Sequence, residues 1–92
     1  LFVIELANKP EDISTMFEIV MISPEEILYQ GKAESAIFPG ESGVFETLSY
    51  HRPVVSRLVG GSVFIDNREY PIRRGLMGFS NNKATVIVER NA

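Results

Sequence analysis

Apolar residues along this chain come in short runs rich in Val, Ile and Phe, each closed by Gly, Pro, Asn or Asp. Runs of this length, without a sustained 3.6-residue period, predict strands rather than helices. The pattern predicts strands over 17–22, 27–29, 33–38, 54–58, 62–65, 69–73, 76–79 and 84–89. Asp66-Asn67 and Asn81-Asn82 stand between runs, and both residue types tolerate the left-handed backbone that tight hairpins require. Many short strands at such spacing imply an all-β sandwich or barrel.

Three stretches interrupt this pattern. Ser23-Pro24-Glu25-Glu26 has the form of a helix start, but Gln30-Gly31 follows too soon for a helix stable alone, so a turn between strands is expected. Residues 1–15 contain the polar linker Asn8-Lys9-Pro10-Glu11-Asp12, and Met16 opens the first firm strand. They are expected to be a leader, with Met16 as the natural start, or else an extra edge strand over 2–6; residues 16–92 form one domain. The third stretch, 37–53, reads IFPGESGVFETLSYHRP. Its Pro39-Gly40, Ser42-Gly43 and His51-Arg52-Pro53 predict a loop-rich block whose fixed backbone presents a surface.

With 92 residues there is room for one modest core and no interdomain cleft. No apolar run reaches membrane-spanning length, and Leu1 to Leu6 has no basic lead-in or small-residue cleavage site, so a cytoplasmic setting is expected. Zero cysteines exclude disulfides, thiolate nucleophiles and sulfur-ligated zinc. Acids crowd the first half and arginines the second, chiefly as solvated faces. An acidic pI of 5.1 and the lack of an aromatic-interleaved basic stripe argue against nucleic acid.

Candidate chemistry is sparse. His51 is the sole histidine, which excludes a histidine metal cluster and leaves one residue for any Ser-His-carboxylate arrangement; with Tyr50 and Pro53 beside it, a structural or interface role is expected. Glu25-Glu26 points to opposite faces if extended and cannot act as a carboxylate pair. Gly40 with Gly43, and Gly60-Gly61, match no phosphate-binding fingerprint and are turn glycines. Of Arg73-Arg74, one is expected to pair with a nearby acid. Phe17, Phe38, Phe45, Phe64 and Phe79 are expected core filler.

Taken in order, the motifs from Met16 to Glu89 resemble the epsilon subunit of F-type ATP synthases, called delta in mitochondria. The resemblance rests on Ser23-Pro24-Glu25 and Tyr29-Gln30-Gly31, then Phe38-Pro39-Gly40, Gly43, Phe45, Leu48, His51-Arg52-Pro53 and Val54-Val55. It continues through Gly75-Leu76 and the closing Asn82-Lys83-Ala84-Thr85-Val86-Ile87. The chain departs from the family at Val44, where Glu or Asp is common, at Glu46 (Gly), and at Ser49-Tyr50 (Pro-Gly or Pro-Asn).

The resemblance implies a ten-stranded β-sandwich, a flattened barrel of two packed sheets, with one face on the gamma subunit and one end on the c-ring. It implies a rotor subunit of the central stalk without chemistry or cofactor of its own, peripheral on the cytoplasmic face of the inner membrane and not inserted in it. The expected partner residues are Pro39, Gly40, Glu41, Ser42, Gly43, Val44, Tyr50, His51 and Arg52; the interface preference for Tyr and Arg independently favours Tyr50 and Arg52. The family's C-terminal helical hairpin, which restrains ATP hydrolysis and in some members binds ATP, has no counterpart in these residues, so neither ATP binding nor a helical latch is expected. Two alternatives stand beside it: a free-standing ligand-binding or hydrolytic sandwich using His51, Ser49 and Arg74, and a self-associating structural module.

Overall fold

A computed structural model describes residues 15–90, which form nine strands and no α-helix. They are β1 (Phe17–Ile22), β2 (Ile27–Ala33), β3 (Ser35–Gly40), β4 (Gly43–Leu48), β5 (Val54–Leu58), β6 (Gly61–Ile65), β7 (Arg68–Ile72), β8 (Arg74–Ser80) and β9 (Lys83–Glu89). All nine belong to one hydrogen-bonded sheet ordered β2-β1-β9-β8-β5-β3-β6-β7, with β4 on the other side of β3. The all-β sandwich expectation holds. The expected ten strands in two separate sheets become nine among the described residues, in one sheet that curls over a single core. The proposed leader or edge strand over 1–15 lies outside the described residues, except for Thr15.

The curl is made at β3. Ala36 and Ile37 pair with Ile65 and Phe64 of β6, whereas Gly40 pairs with Leu58 of β5. Between these ladders stands Pro39, which has no N–H to donate and is tolerated inside a strand only where the ladder breaks. Its carbonyl is satisfied by the Val59 amide at 2.9 Å. One strand thus hands over from the β6-β7 half to the β5-β8-β9-β1-β2 half. The core gathers the alternate positions of both halves: Phe17, Ile19 and Met21 of β1, Met77 and Phe79 of β8, and Val86 and Val88 of β9 meet Phe38, Val63, Ile65 and Ile72. Phe17 and Phe79 pack edge to face with centroids 5.5 Å apart, a contact worth about 0.5–1.5 kcal/mol beyond its buried area.

Two turns follow their sequence signals. Asn81 and Asn82 take φ of 52° and 58° in a two-residue connection from Ser80 to Lys83, the type I′ hairpin form. Ser23 Oγ accepts the amides of Glu25 and Glu26, both at 3.3 Å, so the apparent helix start is the expected turn between β1 and β2. The block 37–53 differs from expectation. Most of it is not loop but the end of β3 and all of β4, closed by Glu41-Ser42. Gly43 carries the φ of 129° that closes this turn. The strand expected over 27–29 also runs on to Ala33.

Candidate functional site

The residues expected to form one partner surface lie at two ends of the sandwich. Pro39 to Val44 surround the tip of the β3-β4 hairpin, beside the β5-β6 connection: the Glu41 amide donates to the Arg57 carbonyl at 3.0 Å. Pro39 and Gly40 are buried there, while Glu41, Ser42, Gly43 and Val44 are exposed, Val44 by 74%. Tyr50, His51 and Arg52 follow the far end of β4, beside the β8-β9 turn. Tyr50 is 68% exposed. The length of β4 beyond Val44 separates the two groups.

The Tyr50–Arg52 loop is held by several contacts. The His51 amide donates to the Leu48 carbonyl at 3.2 Å, and the Tyr50 amide to Asn82 Oδ1 at 2.6 Å. The His51 ring lies edge-on to Phe79, and its Nδ1 is 2.7 Å from the Arg52 carbonyl. Arg74, the third member of the hydrolytic alternative, begins β8 at the opposite end and pairs with Glu89 at 2.9 Å. His51, Ser49 and Arg74 therefore do not converge. The same ion pair fulfils the expectation that one of Arg73-Arg74 would find an acid.

Register exposes a feature that the linear pattern hides. On the outer face, Leu76 stands opposite Ile87, Ile87 opposite Ile22, and Ile22 opposite Ile27, with Val55 diagonal to Leu76 on β5. Val55, Leu76, Ile87 and Ile27 are 82%, 51%, 51% and 60% exposed. Five apolar side chains thus cross five strands in one row, and contiguous apolar rows on an outer face mark contact surfaces. Beside the row, a groove of about 600 Å³ is lined by Pro53, Val55, Gly78, Lys83 and Thr85 among others. Gly78 leaves its floor open, since a Cβ there would meet nothing within 4 Å. Each member reads as an ordinary strand residue; only pairing assembles them, which is why sequence reasoning missed the row.

At the other edge, Tyr29 donates its hydroxyl to the Lys32 carbonyl at 2.7 Å. Desolvation, with smaller contributions from Asp66 and Tyr70, raises its pKa above the usual tyrosine value, against an opposing effect of Arg68. Asp66 Oδ1 receives the amides of Glu34 and Ser35 at 3.0 and 3.2 Å, fixing the β2-β3 bend. Among the described residues, no cluster of three His, Cys, Asp or Glu could hold a metal ion, and no helix is long and apolar enough to cross a membrane.

The family model of the ATP synthase delta/epsilon chain β-sandwich domain matches residues 16–91. The chain belongs to that family. Among curated relatives, the ATP synthase epsilon chain of Leptospira interrogans is 32% identical over 79 residues, covering 82% of this chain and 62% of that protein. The epsilon chain of Chlorobaculum tepidum is 31% identical over 78 residues, covering 79% of this chain and 89% of that protein. The chain therefore spans about three fifths of the first relative and most of the second. A chain from the cryo-EM structure of the central stalk and c-ring of the Tetrahymena thermophila mitochondrial ATP synthase matches with a TM-score of 0.69 and 11% identity, covering 78% of this chain and 62% of that chain. At that identity the likeness is one of fold.

Proposed function

We propose that this domain is a non-catalytic rotor subunit of a membrane-associated F-type ATP synthase, docked on the gamma shaft through the outer face of β5-β8-β9-β1-β2. The observation that carries this reading is the row Val55-Leu76-Ile87-Ile22-Ile27, exposed except at the half-buried Ile22 and apolar on a face that would otherwise be solvated. Family membership supports the choice of partner, since the relatives are named ATP synthase epsilon chains and the fold recurs in a central stalk. The Glu41-Ser42 tip and Val44 then meet the c-ring, and the Tyr50–Arg52 loop extends the gamma contact. The domain carries torque at the cytoplasmic face of the inner membrane.

The test is binding of purified chain to cognate gamma subunit, alone and in the presence of c-ring. Submicromolar binding that Leu76→Glu or Ile87→Glu weakens at least tenfold, with unchanged circular dichroism, supports the reading. A chain that elutes as a stable homo-oligomer and ignores gamma supports the self-associating alternative instead.

A further inference from the structure

The side chain of Asn82 joins three segments that are far apart in sequence. Its Oδ1 accepts the Tyr50 amide at 2.6 Å, and its Nδ2 donates to the Met16 carbonyl at 2.9 Å. Its own carbonyl accepts the Glu18 amide at 3.1 Å. The β4-β5 loop, the β8-β9 turn and the entry to β1 are thereby held on one residue. Tyr50 sits at φ of 60°, a conformation that side chains other than glycine rarely adopt, so an external restraint is needed to keep it there.

The turn itself does not demand this side chain. Asn-Gly is the favoured pair for a type I′ hairpin, and Asn82→Gly would create it. The amide of Asn82 must therefore be explained by what it bonds. The loop it holds leads directly into Pro53 and Val55 on one wall of the outer groove, while Asn81 and Lys83 flank Asn82 on the other.

We propose that Asn82 is a positioning residue for docking: it clamps the Tyr50–Arg52 loop against the β8-β9 turn, so that Tyr50, His51 and Arg52 meet the partner in one pre-set conformation. This inference rests on the gamma-docking reading above. Holding a contact loop in its bound shape raises affinity by removing the cost of ordering it on association. The clamp acts through the loop, and Asn82 itself need not touch the partner.

Two variants test it. Asn82→Gly keeps the left-handed turn and deletes both side-chain bonds; Asn82→Asp keeps the acceptor for Tyr50 but replaces the donor to Met16 with a carboxylate oxygen, which that carbonyl repels. Amide exchange of Tyr50 by NMR, thermal melting of the isolated chain, and affinity for purified cognate gamma are measured for each. The expected result is that Asn82→Gly melts cooperatively, exchanges the Tyr50 amide at least tenfold faster, and binds gamma about tenfold more weakly through faster dissociation. Asn82→Asp keeps Tyr50 protection and most of the affinity. The proposal is overturned if Asn82→Gly retains Tyr50 protection, binds gamma like the wild type, or fails to fold, since the last would make Asn82 a general structural residue. A wild-type chain that does not bind gamma sinks the docking reading itself, and the clamp is then decided by Tyr50 exchange alone.

Discussion

The imidazole of His51 stands edge-on to the ring of Phe79, with centroids 6.0 Å apart and planes at 80°. Phe79 is almost fully buried, and His51 covers it from the loop side. His51→Ala is expected to destabilise the domain by about 0.5–1.5 kcal/mol, the usual worth of an aromatic pair. His51→Phe should recover most of that. Urea denaturation checks both, and equal midpoints for His51→Ala and wild type would remove the contact from the account.

Thr47 lies fully buried on β4 opposite Ala36, and its Oγ1 has no hydrogen-bond partner. A buried hydroxyl left unsatisfied costs about 1–3 kcal/mol. Thr47→Val keeps the β-branched shape and removes that cost, so a gain on the order of 1 kcal/mol is expected. A thermal melt that shows a lower midpoint would mean the hydroxyl is satisfied in solution.

Gly75 is a point of close approach between β8 and β9. A Cβ there would stand 2.5 Å from the Ile87 carbonyl oxygen and 3.0 Å from Val88 Cγ1. The first of these is backbone and cannot swing away. Gly75→Ala should therefore destabilise by about 1–3 kcal/mol, the range for forced overpacking. Gly78→Ala, three positions on and open on the same strand, is the matched control and should change stability far less.

Tyr29 links stability to alkaline pH. Because its folded pKa is raised, the native state holds this proton more tightly than the unfolded chain. Its contribution is complete below the ordinary tyrosine value of 10.0 and is lost as pH rises through the raised folded value. Tyr29→Phe should flatten that part of the alkaline decline while forfeiting the bond to Lys32. Denaturation midpoints compared from pH 8 to 11 decide it; parallel curves for the two proteins would contradict the linkage.

Much of the fold was legible because local signals agreed with their setting. β9 alternates buried and exposed along its whole length, and Asn81-Asn82 announces the hairpin before it. β4 was missed because its polarity is inverted: Val44 and Leu48 face solvent while Thr47 is buried, so no period of two appears in GVFETL. Pro39, Gly40 and Gly43 added breaker signals that here mark a ladder switch and a turn rather than a loop. The contact residues were legible as types but not as places. Neighbours within one seventeen-residue block can stand at opposite ends of a strand, and the apolar row depends on pairings between residues as distant as Ile22 and Ile87.

The parallel pairing of β1 with β9, from Glu18 with Lys83 to Ile22 with Ile87, also governs the order of biosynthesis. β1 can meet β2 as soon as both leave the ribosome, but its other edge waits until β9 has been made. Until then Ile19 and Met21 lack the strand that seals them, and an unpaired strand edge invites pairing with other chains. Closure of the domain is thus a late event of high sequence separation, slow for its size. A nascent chain stalled before Lys83 is the form of this protein most in need of a chaperone.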